Sequence, residues 1–153
     1  MSVVPPAADE SLLELHHVGV AVNDIDAAAG FYASFLGYAA LGPSVADPRH
    51  GVRVRFFAPP GPVDPLLELV SPLGTDSPVA NVLTNGGGAY HVCYTAADLD
   101  AAIALARAAG ALVVSPPTPA VAFGGRPIAW CYSPGRQLIE LAERGSEPRR
   151  PAS

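Results

Sequence analysis

The sequence predicts an α+β fold built from two similar halves, because one residue pattern occurs twice along the 153-residue chain. The two copies, residues 15–26 and 89–100, each contain a histidine at the head of a short apolar run. Seven residues after that histidine comes Asp-Ile-Asp in the first copy and Asp-Leu-Asp in the second. Two copies indicate a tandem pair of modules, since a solenoid needs at least about three repeats.

The first half is predicted to contain a strand, a helix and two further strands. Residues 15–22 are apolar and partly β-branched, which is typical of a strand. Asp24 then has the position and the side chain of a helix N-cap, and Gly37 is placed to end the helix in a left-handed conformation. Two strand-like runs follow at residues 51–57 and 66–70.

The second half repeats this order after a connector, residues 73–88, in which a short helical turn is predicted at residues 79–83. Asp98 takes the N-cap position that Asp24 has in the first half. The predicted elements are a strand at residues 90–94, a helix at 99–109, and strands at 112–114, 127–132 and 138–141.

Composition places a single folded domain between residues 12 and 143. Residues 1–11 include adjacent prolines and residues 144–153 have few apolar side chains, so both ends are predicted to be disordered. Half of the residues are apolar, as in a globular protein, and the net charge of −5 argues against a nucleic-acid or anionic-membrane partner. No apolar run approaches the roughly 20 residues of a membrane span. Cys93 and Cys131 are predicted to be reduced thiols in a cytoplasmic protein.

Each half also ends on a glutamate between two aliphatic residues, Glu68 in the first half and Glu140 in the second. The two glutamates are separated along the sequence by nearly the same number of residues as the two histidines, His17 and His91. Neighbouring side chains on a strand point to opposite faces, so aliphatic neighbours in the core place each glutamate on an enclosed concave face. A buried carboxylate is costly unless it is paired or binds a metal.

Two histidines and two glutamates related by an internal twofold form a mixed nitrogen and oxygen ligand set, which suits Zn²⁺, Co²⁺, Ni²⁺, Mn²⁺ or Fe²⁺. A single strand histidine is more often a hydrogen-bonded core residue, but matched pairs in a duplicated frame favour a metal site. His16 is expected to point away from its neighbour His17 and to be structural or semi-exposed. His50 is either a further acid or base at the pocket or an exposed loop residue.

These residues and their spacing resemble the vicinal-oxygen-chelate superfamily over nearly all of residues 15–143. The resemblance implies two βαβββ modules, residues 15–72 and 89–143, that form a cupped, mostly antiparallel eight-stranded sheet around one divalent metal ion, often within a homodimer. It also implies the ligand set, which is His17, Glu68, His91 and Glu140.

Within this superfamily the sequence is most similar to the methylmalonyl-CoA epimerases. The similarity implies an isomerase that removes a proton next to the carbonyl of an acyl-CoA thioester through a metal-stabilised enediolate, with Glu140 as the base and Glu68 as the second base. Some epimerases have an acidic base where this chain has Val54, which leaves the substrate and reaction open. The similar segments are residues 17–22, 51–54, 67–74, 76–80 and 138–141.

Two other kinds of function stay open at this point. Glyoxalase I uses the same ligand frame on a hemithioacetal, but it has an arginine where this chain has Ala21; a lyase or cyclase of specialised metabolism is a related alternative. The other kind is a non-catalytic, resistance-type protein that binds a small molecule. All four ligand-type residues argue against it, because sequestration needs a cup but no metal.

Overall fold

Ten strands form one open, mixed sheet in residues 11–151, the part of the chain that the structure, a computed structural model, describes. The strands are β1 (Leu13–Ala21), β2 (Ala39–Ala40), β3 (Val45–Asp47), β4 (Val52–Ala58), β5 (Leu66–Pro72), β6 (Gly88–Ala96), β7 (Leu112–Val113), β8 (Thr118–Pro119), β9 (Pro127–Tyr132) and β10 (Leu138–Glu143). The helices are α1 (Ile25–Leu36), α2 (Pro78–Thr84) and α3 (Leu99–Ala108), with a 3₁₀ turn at Val121–Phe123. The predicted α+β class is confirmed.

The internal repeat is visible in the order of the strands, which is β2-β4-β5-β1-β6-β10-β9-β7. The first strands of the two halves, β1 and β6, form the central antiparallel pair. The third long strand of each half lies parallel to its own first strand, β5 beside β1 and β10 beside β6. The residue pattern predicted seven of these strands, and the resemblance implied eight; the three that the pattern missed, β2, β3 and β8, are only two or three residues long.

The caps predicted for the two long helices are confirmed. The Asp24 carboxylate accepts hydrogen bonds from the backbone of Asp26 and Ala27, and Gly37 ends α1 with φ of 74°. The Asp98 carboxylate accepts from the Ala101 backbone and starts α3. Both halves therefore use the same local device to turn the chain from the sheet into a helix.

Packing of the helices decides which face of the sheet carries the glutamates. Leu67 and Leu69 belong to an apolar cluster with Ile25 of α1, and Leu141 belongs to a cluster with Leu99, Ala102 and Ile103 of α3. Strand neighbours alternate between faces, so Glu68 and Glu140 point to the face that these helices leave open. Aliphatic neighbours in the core were predicted for both glutamates.

The C-terminal segment differs from the predicted disorder at residues 144–151. The Arg144 guanidinium donates to the carbonyls of Ser11, Leu12 and Thr95, and the Pro148 carbonyl contacts the ring of His16. Polar groups rather than apolar side chains hold this segment, so its composition did not indicate that it contacts the domain. The predicted disorder of residues 1–10 and 152–153 lies outside the described residues. Among residues 11–151, none of the helices has the length and apolar composition of a membrane span.

Candidate metal centre

The structure brings together the four residues that the sequence predicted as metal ligands. His17 and His91 come from the central strands β1 and β6, and Glu68 and Glu140 come from β5 and β10 on either side. All four are buried, with exposed fractions of 0%, 2%, 5% and 3% in that order. The two carboxylates therefore approach the two imidazoles from opposite sides.

Distances within this cluster match the coordination shell of a small divalent ion. His17 Nε2 lies 3.1 Å from His91 Nε2, 3.1 Å from Glu140 Oε1 and 3.3 Å from Glu68 Oε1. His91 Nε2 lies 3.3 Å and 3.4 Å from the same two oxygens. An ion with ligand bonds of about 2.1 Å holds neighbouring ligand atoms roughly 3.0–3.4 Å apart in octahedral or tetrahedral geometry.

The chemistry of the donor set also fits a cation. Within the described residues, the buried Glu140 Oε1 has no hydrogen-bond partner of acceptable geometry, and Nε2 of His17 faces Nε2 of His91. Lone pairs of two nitrogens and two oxygens thus converge, which is unfavourable unless a cation or shared protons lie between them. Two imidazoles and two carboxylates suit Zn²⁺ and its first-row neighbours.

Contacts within the cluster shift the pKa values of all four groups. Burial opposes a charge on His91, but its contacts with Glu140 and Glu68 outweigh burial and raise the pKa of the imidazole. Burial likewise opposes a charge on His17, whose pKa is nevertheless raised by Cys93 and Glu68. Burial favours neutral carboxyls, yet the two histidines lower the pKa of both glutamates. A metal ion would displace the imidazole protons.

Two bulges in the central strand pair shape the surroundings of the cluster. Between successive ladder pairs, β1 has one extra residue, His16, and β6 has one extra residue, Tyr90. Each precedes a candidate ligand, so the two bulges occupy equivalent positions in the two halves. The Tyr90 ring packs edge-on against His91, with centroids 4.5 Å apart. The His16 ring lies beside His17, with 2.7 Å between the Nδ1 atoms.

The prediction that His16 points away from His17 is therefore wrong. It assumed unbroken alternation of side chains, which a bulge interrupts. His16 is only 9% exposed, and burial together with the neighbouring His17 lowers its pKa. Sequence periodicity gave no signal of this, although the repeated placement of a bulky residue before each histidine is visible in the sequence.

A cavity of about 450 Å³ opens in front of the cluster, with Glu68, His91 and Glu140 in its wall. This volume is within the range of small-molecule sites. The wall contains Val54, the position where some epimerases have an acid. Its other apolar residues come from both halves and include Val52, Val79, Phe123, Ile128 and Trp130.

His50 lies at the polar part of this cavity, together with Asp47 and Arg49. Its Nε2 is 3.0 Å from the carbonyl oxygen of Pro119. Because a carbonyl can only accept, Nε2 donates, and Nδ1 of the neutral ring is left as an acceptor. The structure thus places His50 at the pocket rather than on an open loop, and its role as an acid or base stays a prediction.

Comparison with known proteins identifies similar chains. Residues 16–130 match the sequence model of the Glyoxalase/Bleomycin resistance protein/Dioxygenase superfamily. The ethylmalonyl-CoA/methylmalonyl-CoA epimerase of Cereibacter sphaeroides is 38% identical over 120 residues, which are 77% of this chain and 87% of that protein. Human mitochondrial methylmalonyl-CoA epimerase is 39% identical over 95 residues, which are 61% of this chain and about half, 52%, of the human protein.

A solved structure shares the fold. Streptomyces coelicolor methylmalonyl-CoA epimerase, in a variant form bound to 2-nitronate-propionyl-CoA, superposes with a TM-score of 0.76 at 26% identity. The match covers 92% of this chain and the whole of that chain. The tandem modules and the open sheet are thus shared with an acyl-CoA-binding protein.

Proposed function

We propose that this chain, which belongs to the Glyoxalase/Bleomycin resistance protein/Dioxygenase superfamily, is a metal-dependent epimerase of methylmalonyl-CoA or a closely related acyl-CoA thioester. One observation carries the proposal: two buried carboxylates reach a single four-residue cluster from opposite sides, at the wall of a largely apolar cavity. Relatives and solved structures named methylmalonyl-CoA epimerase support the substrate class.

Epimerisation requires that a proton leaves one face of the α carbon and returns to the other. In this proposal Glu140, on β10, removes the proton, and Glu68, on β5, returns it from the opposite side of the cluster. A divalent ion held by the cluster would supply Lewis-acid stabilisation of the negative charge that develops as the proton leaves. Val54, on β4 beside the Glu68 strand, cannot exchange a proton, so the cavity wall offers no further acid at that position.

The shape of the cavity supports a small acyl group. Aliphatic and aromatic side chains of both halves surround the carboxylates, and they would limit the access of water to the reacting carbon. The polar residues Asp47, Arg49 and His50 lie in one part of the wall, where a charged or polar portion of the substrate would be placed. An apolar substituent on the α carbon then faces the apolar remainder.

The alternatives have less support. At the position where glyoxalase I has its glutathione-binding arginine, this chain has Ala21, which is 3% exposed and packed in an apolar cluster. A specialised-metabolite lyase and a non-catalytic binding protein lack the support that relatives named epimerase give to the first function. A homodimer and a cytoplasmic location stay predictions of the sequence, and the sequence does not give the identity of the metal.

The deciding experiment is deuterium exchange at the α carbon. The protein is loaded with Co²⁺ and incubated with one epimer of methylmalonyl-CoA in D₂O, and mass spectrometry and chiral analysis follow the product. We expect incorporation of deuterium together with formation of the other epimer. A protein that holds Co²⁺ but leaves the thioester unchanged, and instead converts a glutathione hemithioacetal, would refute the proposal in favour of a glyoxalase-type lyase.

A further inference from the structure

We propose that His16 is a positioning residue, which fixes the tautomer of His17 so that Nε2 of His17 presents a lone pair to the bound metal ion. The inference rests on the proposed metal site. It concerns a residue outside the ligand set, and it follows from a chain of two short hydrogen bonds that begins in the C-terminal segment.

The first hydrogen bond joins His16 Nε2 to the carbonyl oxygen of Pro148, at 2.7 Å. A carbonyl oxygen has no proton to donate, so the proton of this bond belongs to Nε2 of His16. A neutral imidazole carries one N–H only, and the Nδ1 atom of His16 is therefore an acceptor. The backbone of residue 148 thus determines which nitrogen of His16 is free.

The second hydrogen bond joins the Nδ1 atoms of His16 and His17, also at 2.7 Å. Since Nδ1 of His16 accepts, Nδ1 of His17 must donate. The only other ring nitrogen of His17 is Nε2, which points at the cluster with Glu140 Oε1 at 3.1 Å. Neutral His17 therefore has its lone pair on Nε2, the form that binds a metal. The other tautomer would set two lone pairs against each other across 2.7 Å.

Few groups compete with this arrangement. The His16 ring packs beside the rings of Phe56 and Phe123, with centroid distances of 5.7 Å and 5.9 Å. Among the described residues, Cys93 is a further polar neighbour, and its thiol is a weak donor and a weak acceptor. His16, held by these aromatic contacts and by two short hydrogen bonds, restrains the ring of His17, which therefore loses little further freedom when the metal binds.

The second half of the chain has no counterpart of this device, which provides an internal control. The position equivalent to His16 is Tyr90, and its ring packs against His91 without a hydrogen bond to it. Within the described residues, Nδ1 of His91 is buried and has no partner. A change at His16 should therefore alter His17 and leave His91 as it was.

The test compares His16→Asn with His16→Leu. These side chains have nearly the same shape, but only the amide oxygen of asparagine can accept from His17 Nδ1. Co²⁺ affinity is measured by competition with a chelator, and ¹⁵N-edited NMR of the Zn²⁺-loaded protein detects the Nδ1 protons of His17 and His91. We expect leucine to weaken Co²⁺ binding by about 10–100-fold and to expose the His17 proton to exchange, whereas asparagine restores both.

Each outcome decides the matter. Equal Co²⁺ affinity of the two variants would overturn the proposal. An NMR spectrum of the metal-free wild-type protein at high pH would also overturn it if His17 carried its proton on Nε2. The spectrum needs no variant, so it decides even if the leucine variant does not fold. Failure of the wild-type protein to bind Co²⁺ would instead remove the metal site and the proposed function together.

Discussion

Gly19 and His91 lie opposite each other on the two central strands, and the His91 ring fills the space that a side chain at residue 19 would need. A Cβ atom on Gly19 would lie 1.9 Å from Cε1 of His91. The internal twofold pairs His17 in the same way with Cys93, which has a side chain. Only one of the two imidazoles therefore depends on a glycine across the strand pair.

Replacement of Gly19 by alanine should displace the His91 ring and remove one ligand from the cluster. We expect Co²⁺ affinity to fall by at least about tenfold, the lower end of the range for changes near a metal ligand. The control is Gly30→Ala in α1, where no atom lies within 4 Å of the added Cβ. That variant should keep its affinity and gain about 0.5–1 kcal/mol of stability. Unchanged Co²⁺ affinity of Gly19→Ala would contradict the arrangement of the cluster.

Replacement of Glu68 and replacement of Glu140 should affect the two epimers differently. In Glu68→Gln and in Glu140→Gln one oxygen donor is kept but one base is lost, so epimerisation should fall by about 10²–10⁴-fold in each. Each variant should still exchange the α proton of one epimer with D₂O, and the two variants should prefer opposite epimers. Chiral chromatography with mass spectrometry measures both quantities, and metal analysis verifies that the ion is still bound. Full epimerisation in either variant would rule out the two-base assignment.

Removal of the metal should destabilise the fold. A ligand present at 100 times its dissociation constant stabilises a protein by about 2.7 kcal/mol. For a chain of this length, that loss lowers the unfolding temperature by about 5–10 °C. Calorimetry before and after chelation measures it. The His50→Phe variant, which leaves the cluster intact, should show the same decrease in unfolding temperature on chelation. An unfolding temperature of the wild type that does not change on chelation would contradict metal binding by the folded state.

The metal-free protein should be most stable in a narrow range of pH. The lowered pKa of Glu68 means that its contribution is present above the ordinary carboxyl pKa and is lost as the pH falls. The raised pKa of His91 means that its contribution is present below the ordinary imidazole pKa and is lost as the pH rises. The stability maximum should thus lie between about pH 4.3 and pH 6.5.

Loading with metal should move that maximum to higher pH, because the imidazoles must lose their protons to bind the ion. Urea unfolding at several pH values, with and without Zn²⁺, measures both curves. Coinciding maxima would show that the cluster does not bind the ion in the folded protein.

What the sequence predicted well follows from local rules and from the repeat. Asp24, Gly37 and Asp98 act within one turn of backbone, so their residue types suffice to predict helix ends. The ligand candidates could be selected because the repeat placed two of each type at matching positions. A single copy of either pair would not have distinguished a site from a core residue.

What it missed depends on pairing between distant segments. His16 lies beside His17 only because β1 has an extra residue relative to β6, and nothing local to residue 16 encodes that register. The same holds for Pro148, whose carbonyl reaches a residue far away in the chain. The short strands β2, β3 and β8 exist through their partners rather than through a pattern of their own.

Each half of the chain supplies one histidine and one glutamate to the cluster, and the connector at residues 73–88 supplies neither. Covalent continuity is thus not needed to complete the ligand set: two separate polypeptides, each one module long, would present the same four groups where they meet. The ion would then cross-link the two fragments, and chelation would favour their dissociation. In the fused chain the linker replaces that bimolecular step by an intramolecular one, so the site assembles at any dilution of the protein.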